Sequence, residues 1–259
     1  LFWQLRESVR GLGEACRAFQ TPITGGNCSL YNQVPAGPVD PTPTIAMVGL
    51  IEKPEHITTQ WFKDEGDAII LLGNPGDPDD PLQSLGGSAF LQVVHDQKNG
   101  RPPSCDLDAA RTLHNALRGL ICSGSIKSAH DCSEGGLAVC LAECCISQQI
   151  VRETPRLIGA SIDLSSLGHD APAADATAST DADRTVPLRL DALLFGETQH
   201  RVVITTHRLH LVKVLERARL LGVPALHLGW VGGDHLTVRT DAGEWSWSVK
   251  ELHDAWWNS

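Results

Sequence analysis

The chain has 259 residues, of which 42% are apolar, and a formal net charge of −10 at pH 7. This length and composition allow a sizeable core in one large or two modest domains. The acidic charge, without a basic cluster, argues against nucleic acid and anionic membranes as partners. No apolar run is long enough to span a bilayer.

The N-terminal region predicts a helix and then a polar loop. Residues 4–20 carry apolar side chains at helical spacing. The loop Gly25–Asn32 has two glycines, two asparagines and a serine, which could present N–H groups to a phosphate and an amide oxygen to a cation. An ordinary turn would use the same residues. Residues 44–51 are almost continuously apolar and predict a buried strand.

The middle of the chain predicts a second domain. Residues 67–72 form a short apolar run, and we place the domain boundary just before it, with domains over 1–60 and 61–259. Helices are predicted from residue 88 to 95 and over 106–122, and a strand over 157–164. Residues 168–183, rich in Ala, Asp, Ser and Thr, predict a low-complexity loop.

The last third predicts a strand over 202–205, a helix over 207–221, and strands over 224–231 and 236–239. Gly232-Gly233-Asp234 between the last two strands is a hairpin signal. Glu197, Gln199 and Arg201 closely precede the strand at 202, so some of them could lie at its mouth, although a surface or salt-bridged position is the more common one for a glutamate such as Glu197. Four tryptophans near the end predict a terminal strand and helix packed on the body: Trp245, Trp247, Trp256 and Trp257.

Eight cysteines occur without a C-x-x-C pair, which argues against a zinc knuckle or a thioredoxin motif. Half of them lie in or beside one apolar helix, where cysteine acts as a small hydrophobe: Cys132, Cys140, Cys144 and Cys145. Free buried thiols fit a reducing compartment, so we expect a cytoplasmic protein.

The stretch from residue 126 to 137 is the strongest functional signal. A short apolar run ends in Asp131, Ser133 and two glycines, and an apolar helix follows. A helix start offers unpaired N–H groups and a positive dipole end, and glycines admit a ligand to the backbone. Because Asp131 would repel a phosphate, we expect Mg²⁺ between them. The spacing predicts a magnesium–nucleotide site, although a capped helix with Asp131 or Ser133 as N-cap uses the same residues.

Four segments in order resemble the C-terminal portion of the phosphoribosylformylglycinamidine synthase family, the purine-pathway amidoligases, and cover nearly the whole chain. They are similar to the motifs G-N-V-S-L-Y-N, P-T-P-x-x-G-M-V-G-L, S-A-H-D-V-S-E-G-G-L-A and F-G-E-[ST], and they span 25–32, 41–50, 128–138 and 195–198. The first residue is not Met, so we expect a piece of a longer protein. No glutaminase segment follows the tryptophans, which favours the short form of the family.

The resemblance implies an α/β fold with a mixed sheet, in which the end of an AIR-synthetase N-terminal-like domain precedes an AIR-synthetase-like C-terminal domain. It implies ATP-dependent amidation of formylglycinamide ribonucleotide with glutamine-derived ammonia. The implied cofactors are Mg²⁺ and ATP or ADP. The implied protein partners are a glutaminase subunit and a small bridging subunit.

By the same resemblance, Gly26 and Ser133 would contact nucleotide, Ser29 would bind substrate, and Asn27 and Asp131 would bind Mg²⁺. No catalytic residue is assigned, because the family's catalytic histidine comes from a part that these segments do not match. This stretch alone is therefore not expected to catalyse the reaction.

Two other functions fit the same fold. One is a structural nucleotide-binding half without turnover, and whether the nucleotide is reacting ATP or tightly held ADP stays open. The other is a different enzyme of the fold, such as an aminoimidazole ribonucleotide synthetase or a selenophosphate synthetase. The loop at 26–32 and the element at 195–198 argue against the second.

Overall fold

The structure is a computed structural model. It describes residues 2–29, 33–35, 37–40, 42–77, 79–80, 82–147, 156–167 and 188–258. The chain divides into two compact units, Leu1–Pro54 and Glu55–Ser259. The predicted boundary between residues 60 and 61 stays a prediction. In the described part of the chain, no helix is both long enough and apolar enough to cross a membrane.

The first unit begins with helix α1, Phe2–Phe19, which confirms the helix predicted over 4–20. Its exposed side carries an ion pair one turn apart, in which Arg10 Nη2 lies 2.7 Å from Glu7 Oε2. Strands β1, Gln33–Val34, and β2, Gly37–Pro38, form a short antiparallel pair. An exposed pair such as Arg10–Glu7 contributes only about 0.3–0.5 kcal/mol, so it supports the helix weakly.

The strand predicted over residues 44–51 is wrong. These residues have no regular secondary structure, and the side chains of Met47, Val48 and Leu50 are exposed. A strand needs a neighbour for its backbone hydrogen bonds and a surface to cover its side chains. Among the described residues of the first unit, the only strands are the two-residue β1 and β2, and they pair with each other. Apolar composition alone therefore misled the prediction.

The second unit contains the remaining strands and helices. The strands are β3 Ala68–Leu72, β4 Ser128–Asp131, β5 Ile146–Ser147, β6 Arg156–Leu157, β7 Ala160–Asp163, β8 Val202–Thr206, β9 Ala225–Val231, β10 His235–Thr240 and β11 Gly243–Ser248. The helices are α2 Ala89–His95, α3 Leu107–Cys122, α4 Gly136–Cys145, α5 Leu190–Phe195, α6 Leu211–Leu220 and α7 Val249–Trp257. The predicted α/β class is confirmed.

Seven strands form one mixed sheet in the order β11-β10-β7-β9-β3-β8-β4, and β5 pairs with β6 separately. Strand β3 is buried along its whole length because both faces of the sheet are covered. Its alternate side chains point to opposite faces: Ile69 and Leu71 join a core with α4, whereas Ile70 and Leu72 join a core with α3 and α6. The continuous apolar run that predicted β3 reflects this double burial.

The hairpin predicted at Gly232-Gly233-Asp234 is wrong. Strands β9 and β10 exist close to the predicted positions, but β7 lies between them, antiparallel to β9 and parallel to β10. Backbone hydrogen bonds join the two glycines to the residue directly before β7. Gly232 N donates to Gly159 O and Gly159 N donates to Gly233 O, each at 2.8 Å. The terminal hairpin is instead β10–β11. A local turn signal cannot reveal that a strand from elsewhere in the chain inserts.

Two other predictions changed in detail or fall outside the description. The strand predicted over 157–164 is divided into β6 and β7 by residues 158–159. The low-complexity segment 168–183 lies outside the described residues. The tryptophan-rich ending forms strand β11 and helix α7, as predicted. The side chains of Trp245, Trp247 and Trp257 nevertheless remain at least one-third exposed.

Candidate functional site

The junction between β4 and α4 is a tight glycine turn. Gly135 has φ 77° and Gly136 has φ 67°, a left-handed conformation that glycine adopts without steric cost. A Cβ on Gly136 would lie 2.6 Å from Gly196 O. The turn therefore packs directly on the segment 195–198, and two of the four motif segments meet here.

An open cleft of about 360 Å³ lies beside this junction. The end of β4, the turn after it, the segment before β8 and helix α3 contribute its polar lining: His114, Asp131, Ser133, Glu134, Glu197, Gln199, His200 and Arg201. The side chain of Asp131 is 72% exposed. Both Asp131 and Ser133 thus face a solvent-filled cleft and not packed protein.

Asp131 is held as a carboxylate by its neighbours. Ser133 Oγ donates to Asp131 Oδ2 at 2.5 Å, and this hydrogen bond is the main reason that the pKa of Asp131 is lowered, against the opposing effect of partial burial. His130 Nδ1 lies 3.6 Å from Asp131 Oδ1 and also favours the charged form. Asp131 is therefore an anion at neutral pH.

An ionised carboxylate at an open cleft is a suitable hard-oxygen ligand for Mg²⁺. Within the described residues, no group of three or more His, Cys, Asp and Glu side chains could hold a metal ion. Mg²⁺ does not require such a cage, since it commonly takes one or two carboxylates and completes its octahedron with phosphate oxygens and water. Asp131 fits a cation that arrives with a nucleotide better than a cation bound by protein alone.

The prediction that this helix start offers unpaired N–H groups is wrong for its two glycines. Gly135 N donates to Glu197 Oε1 at 3.0 Å, and Gly136 N donates to Ser133 O at 3.0 Å. Glu197 Oε1 also accepts from Ala89 N at 2.9 Å. The anion at this position is therefore the protein's own half-buried carboxylate, which ties the starts of α2 and α4 together.

Ser133 is also engaged within the protein. Because its hydroxyl hydrogen points to Asp131, the oxygen presents only its lone pairs to the cleft. A phosphate group accepts hydrogen bonds, so a direct contact with it would require the Ser133 hydroxyl to rotate away from Asp131.

The sequence placed Arg201 close to the start of the strand at 202 but did not indicate its structural role. It is 1% exposed and donates to three backbone carbonyls, those of Thr198 at 3.2 Å, Pro75 at 2.9 Å and Gly196. Burial lowers its pKa, but a guanidinium remains charged. Arg201 fixes the loop that carries Glu197. A charged residue directly before a β-branched run was the available signal.

A second cleft of about 440 Å³ adjoins the first and shares Leu113, Gln199 and His200 with it. Asp77, Asp79 and Asp106 contribute its carboxylates, and two of them have local structural roles. Asp77 Oδ2 accepts from Ser104 Oγ at 2.7 Å, and Asp106 caps α3 by accepting from two backbone N–H groups.

The three predicted residues of the first unit lie together in an exposed loop. Asn27 Nδ2 donates to Ser29 Oγ at 3.0 Å. A Cβ added at Gly26 would meet nothing within 4 Å, so packing within the unit does not require glycine there. Residues 30–32 of the same motif lie outside the described residues. The ligand roles of Gly26, Asn27 and Ser29 stay predictions.

Comparison with known proteins follows the same division of the chain. The family model for the N-terminal domain of AIR synthase related proteins matches residues 1–51, and that for the C-terminal domain matches residues 64–241. The chain belongs to the AIR synthase related family. The glycine turn and both clefts lie within the part matched to the C-terminal domain.

Two relatives with the same name illustrate the similarity. The chain is 37% identical, over 99% of its length, to phosphoribosylformylglycinamidine synthase subunit PurL of Anaeromyxobacter sp. (strain K), and 36% identical to the subunit of that name from Thermobifida fusca. It covers 30% and 29% of these proteins. The chain thus spans under a third of the length of the curated relatives it matches.

Solved structures support the fold. The PurL of Thermotoga maritima complexed with FGAR aligns with a TM-score of 0.55 and 18% identity, over 77% of this chain and 30% of that chain. The structure of PurLQS from Thermotoga maritima aligns with a TM-score of 0.52 and 14% identity, over 78% and 28%. At such low identity these likenesses show the AIR synthase related fold alone.

Proposed function

We propose that this chain is the C-terminal part of a phosphoribosylformylglycinamidine synthase, an ATP-dependent carbon–nitrogen ligase of purine biosynthesis. The relatives at 37% identity carry this name. The observation that carries the proposal is the ionised Asp131, held by Ser133 at the mouth of an open cleft. This arrangement can bind a nucleotide through a divalent cation.

The proposed reaction transfers a phosphoryl group from ATP to the amide oxygen of formylglycinamide ribonucleotide. Ammonia then forms a bond to the amide carbon, and the C–O bond breaks to release phosphate. Bound Mg²⁺ would offset the charge on the phosphoryl oxygens. Asp131 would supply an oxygen ligand to Mg²⁺, and Asn27 is separately proposed as a Mg²⁺ ligand. Ser133, once rotated, would donate to a phosphate oxygen.

The glycine at position 26 supports a backbone contact. Its φ does not require glycine, and no neighbouring atom excludes a side chain. A ligand that approaches the backbone closely would account for it. We propose that Gly26 lies against the nucleotide and that Ser29 binds the substrate.

The charge of the cleft supports a role for a cation. Its lining includes the acidic residues Asp131, Glu134 and Glu197, and the guanidinium of Arg201 is occupied by backbone carbonyls. A bare polyphosphate would meet mainly negative charge here. Nucleotide binding should therefore require a divalent cation.

The same proposal includes its partners and location. Ammonia would derive from glutamine in a separate glutaminase subunit, and a small bridging subunit would complete the assembly. A structural neighbour is described as PurLQS, in agreement with an enzyme of several subunits. We propose that the protein acts in the cytoplasm, with the first domain ending near residue 60.

The experiment is a chimera in which this chain replaces the matching residues of the Anaeromyxobacter relative, assayed with ammonia as amide donor. We expect phosphate release that depends on both ATP and formylglycinamide ribonucleotide. Asp131→Asn should lower this rate. The control is Asp108→Asn, which changes an 85% exposed carboxylate on α3 and should leave the rate unchanged.

Two results would change the assignment. A folded chimera without activity would contradict the ligase proposal. If Asp131→Asn left the rate intact but lowered the melting temperature measured with nucleotide, the structural nucleotide-binding alternative would hold for this site.

A further inference from the structure

Asp131 is the exposed end of a chain of polar contacts that begins inside the protein. Glu143, the one charged residue of helix α4, places Oε2 2.8 Å from His130 Nε2. The other ring nitrogen of His130 lies 3.6 Å from Asp131 Oδ1, and Asp131 Oδ2 accepts from Ser133. The order of contacts is Glu143, His130, Asp131 and Ser133, from the helix to the cleft.

Exposure decreases along this chain from the cleft inwards to the ring. The side chain of Asp131 is 72% exposed, whereas those of His130 and Glu143 are 14% and 32% exposed. A largely buried imidazole needs a partner for its N–H group, and a carboxylate can only accept. This contact assigns a hydrogen to Nε2 and fixes the plane of the ring.

The orientation of the ring in turn affects the carboxylate. At 3.6 Å, Nδ1 is too far from Asp131 Oδ1 for a hydrogen bond, and the ring acts as a steric neighbour of that oxygen. It still restrains one carboxylate oxygen, while the Ser133 hydroxyl restrains the other. Asp131 is the last residue of β4, and its side chain is exposed. Without these two contacts the side chain could rotate freely.

Glu143 is otherwise difficult to explain. Helix α4 is apolar over most of its surface, and six of its residues are buried: Gly136, Leu137, Cys140, Leu141, Cys144 and Cys145. A partly buried carboxylate in such a helix costs desolvation free energy unless it is paired. Its observed partner is a residue adjacent to Asp131.

We infer that Glu143 and His130 are positioning residues, which hold the Asp131 carboxylate towards the cleft for a magnesium-bound polyphosphate. The inference rests on the proposed function of this site. Partners that orient a ligating side chain in this way typically change metal affinity by about 10–100-fold when they are replaced.

The test measures the dissociation constant of ADP with saturating Mg²⁺ by isothermal titration calorimetry on the whole chain. Glu143→Leu, which removes the contact to His130, should weaken binding about 10–100-fold. Glu143→Gln keeps an acceptor but removes the charge, so we expect a loss near the lower end of that range. Glu216→Gln, an exposed carboxylate on helix α6, is the matched control and should bind as the wild type does.

A double-mutant cycle separates positioning from general stability. If Glu143 acts through Asp131, Glu143→Gln should weaken binding in the wild-type background and have no further effect in the Asp131→Asn background. A merely structural role would lower affinity equally in both backgrounds. Circular dichroism verifies that each variant is folded, and if Glu143→Leu unfolds, Glu143→Gln decides.

The outcomes distinguish the inference from the proposed function. If the folded wild-type chain does not bind magnesium–ADP, the proposed site itself fails. If the wild type binds and Asp131→Asn weakens binding, but Glu143→Gln has no effect or acts independently of Asp131, the site stands and the positioning inference is overturned.

Discussion

Gly25 and Gly26, in the exposed loop of the first unit, offer the simplest test of a contact between a single residue and the nucleotide. A Cβ added at Gly25 or at Gly26 would have open space around it, and neither glycine has a positive φ. Alanine at either position should therefore leave the free energy of unfolding unchanged within about 0.5 kcal/mol. If Gly26 faces the nucleotide, only Gly26→Ala should weaken magnesium–ADP binding by calorimetry. Equal affinities for the two variants would contradict that contact.

Arg201 should matter more for stability than other arginines. Arg201→Met would remove the donors to three backbone carbonyls, in a site that is 1% exposed. We expect the free energy of unfolding to fall by about 2–4 kcal/mol, because buried acceptors would be left without partners. Urea denaturation at about 25 °C measures this. The control is Arg118→Met, at an exposed arginine. An equal fall in the free energy of unfolding for the two substitutions would show that the buried contacts of Arg201 contribute little.

At the scale of elements, the reactivity of its buried thiols shows whether helix α4 is packed in the core. Burial is the leading reason that the pKa values of Cys144 and Cys145 are raised, the latter to about 12. Since the thiolate is the reactive form, neither should react with iodoacetamide in the native protein at about pH 8. The exposed Cys28 and Cys122 should react. Peptide mapping by mass spectrometry measures each site, and rapid native labelling of Cys144 would mean that α4 is not packed as described.

Elements with a local cause could be predicted from the sequence, whereas those with a distant cause could not. Strand β3 and helix α4 follow from apolar runs, and the presence of Asp131 and Ser133 at the junction follows from their places in the sequence between the two elements. The failed strand at 44–51 depends on a partner strand, and the failed hairpin depends on the insertion of β7. Glu197 reaches Gly135 across 62 positions of the chain, a contact that no local pattern specifies.

At the scale of the whole molecule, the second unit should fold by itself. Both core clusters lie within residues 55–259, on the two faces of the seven-stranded sheet. A piece comprising 55–259 should therefore show cooperative thermal unfolding by circular dichroism. A piece that begins at residue 74 lacks β3, which lies between β8 and β9, and should be unfolded. A non-cooperative transition of the longer piece would mean that its core is insufficient.

Calorimetric titration of the chain with ADP measures whether Asp131 binds a nucleotide through a divalent cation. We expect binding with Mg²⁺, no measurable binding in EDTA, and weaker magnesium-dependent binding in Asp131→Asn without a fall in the melting temperature of the free protein. Binding that is equally tight in EDTA, or that is unaffected by Asp131→Asn, would contradict this role of Asp131.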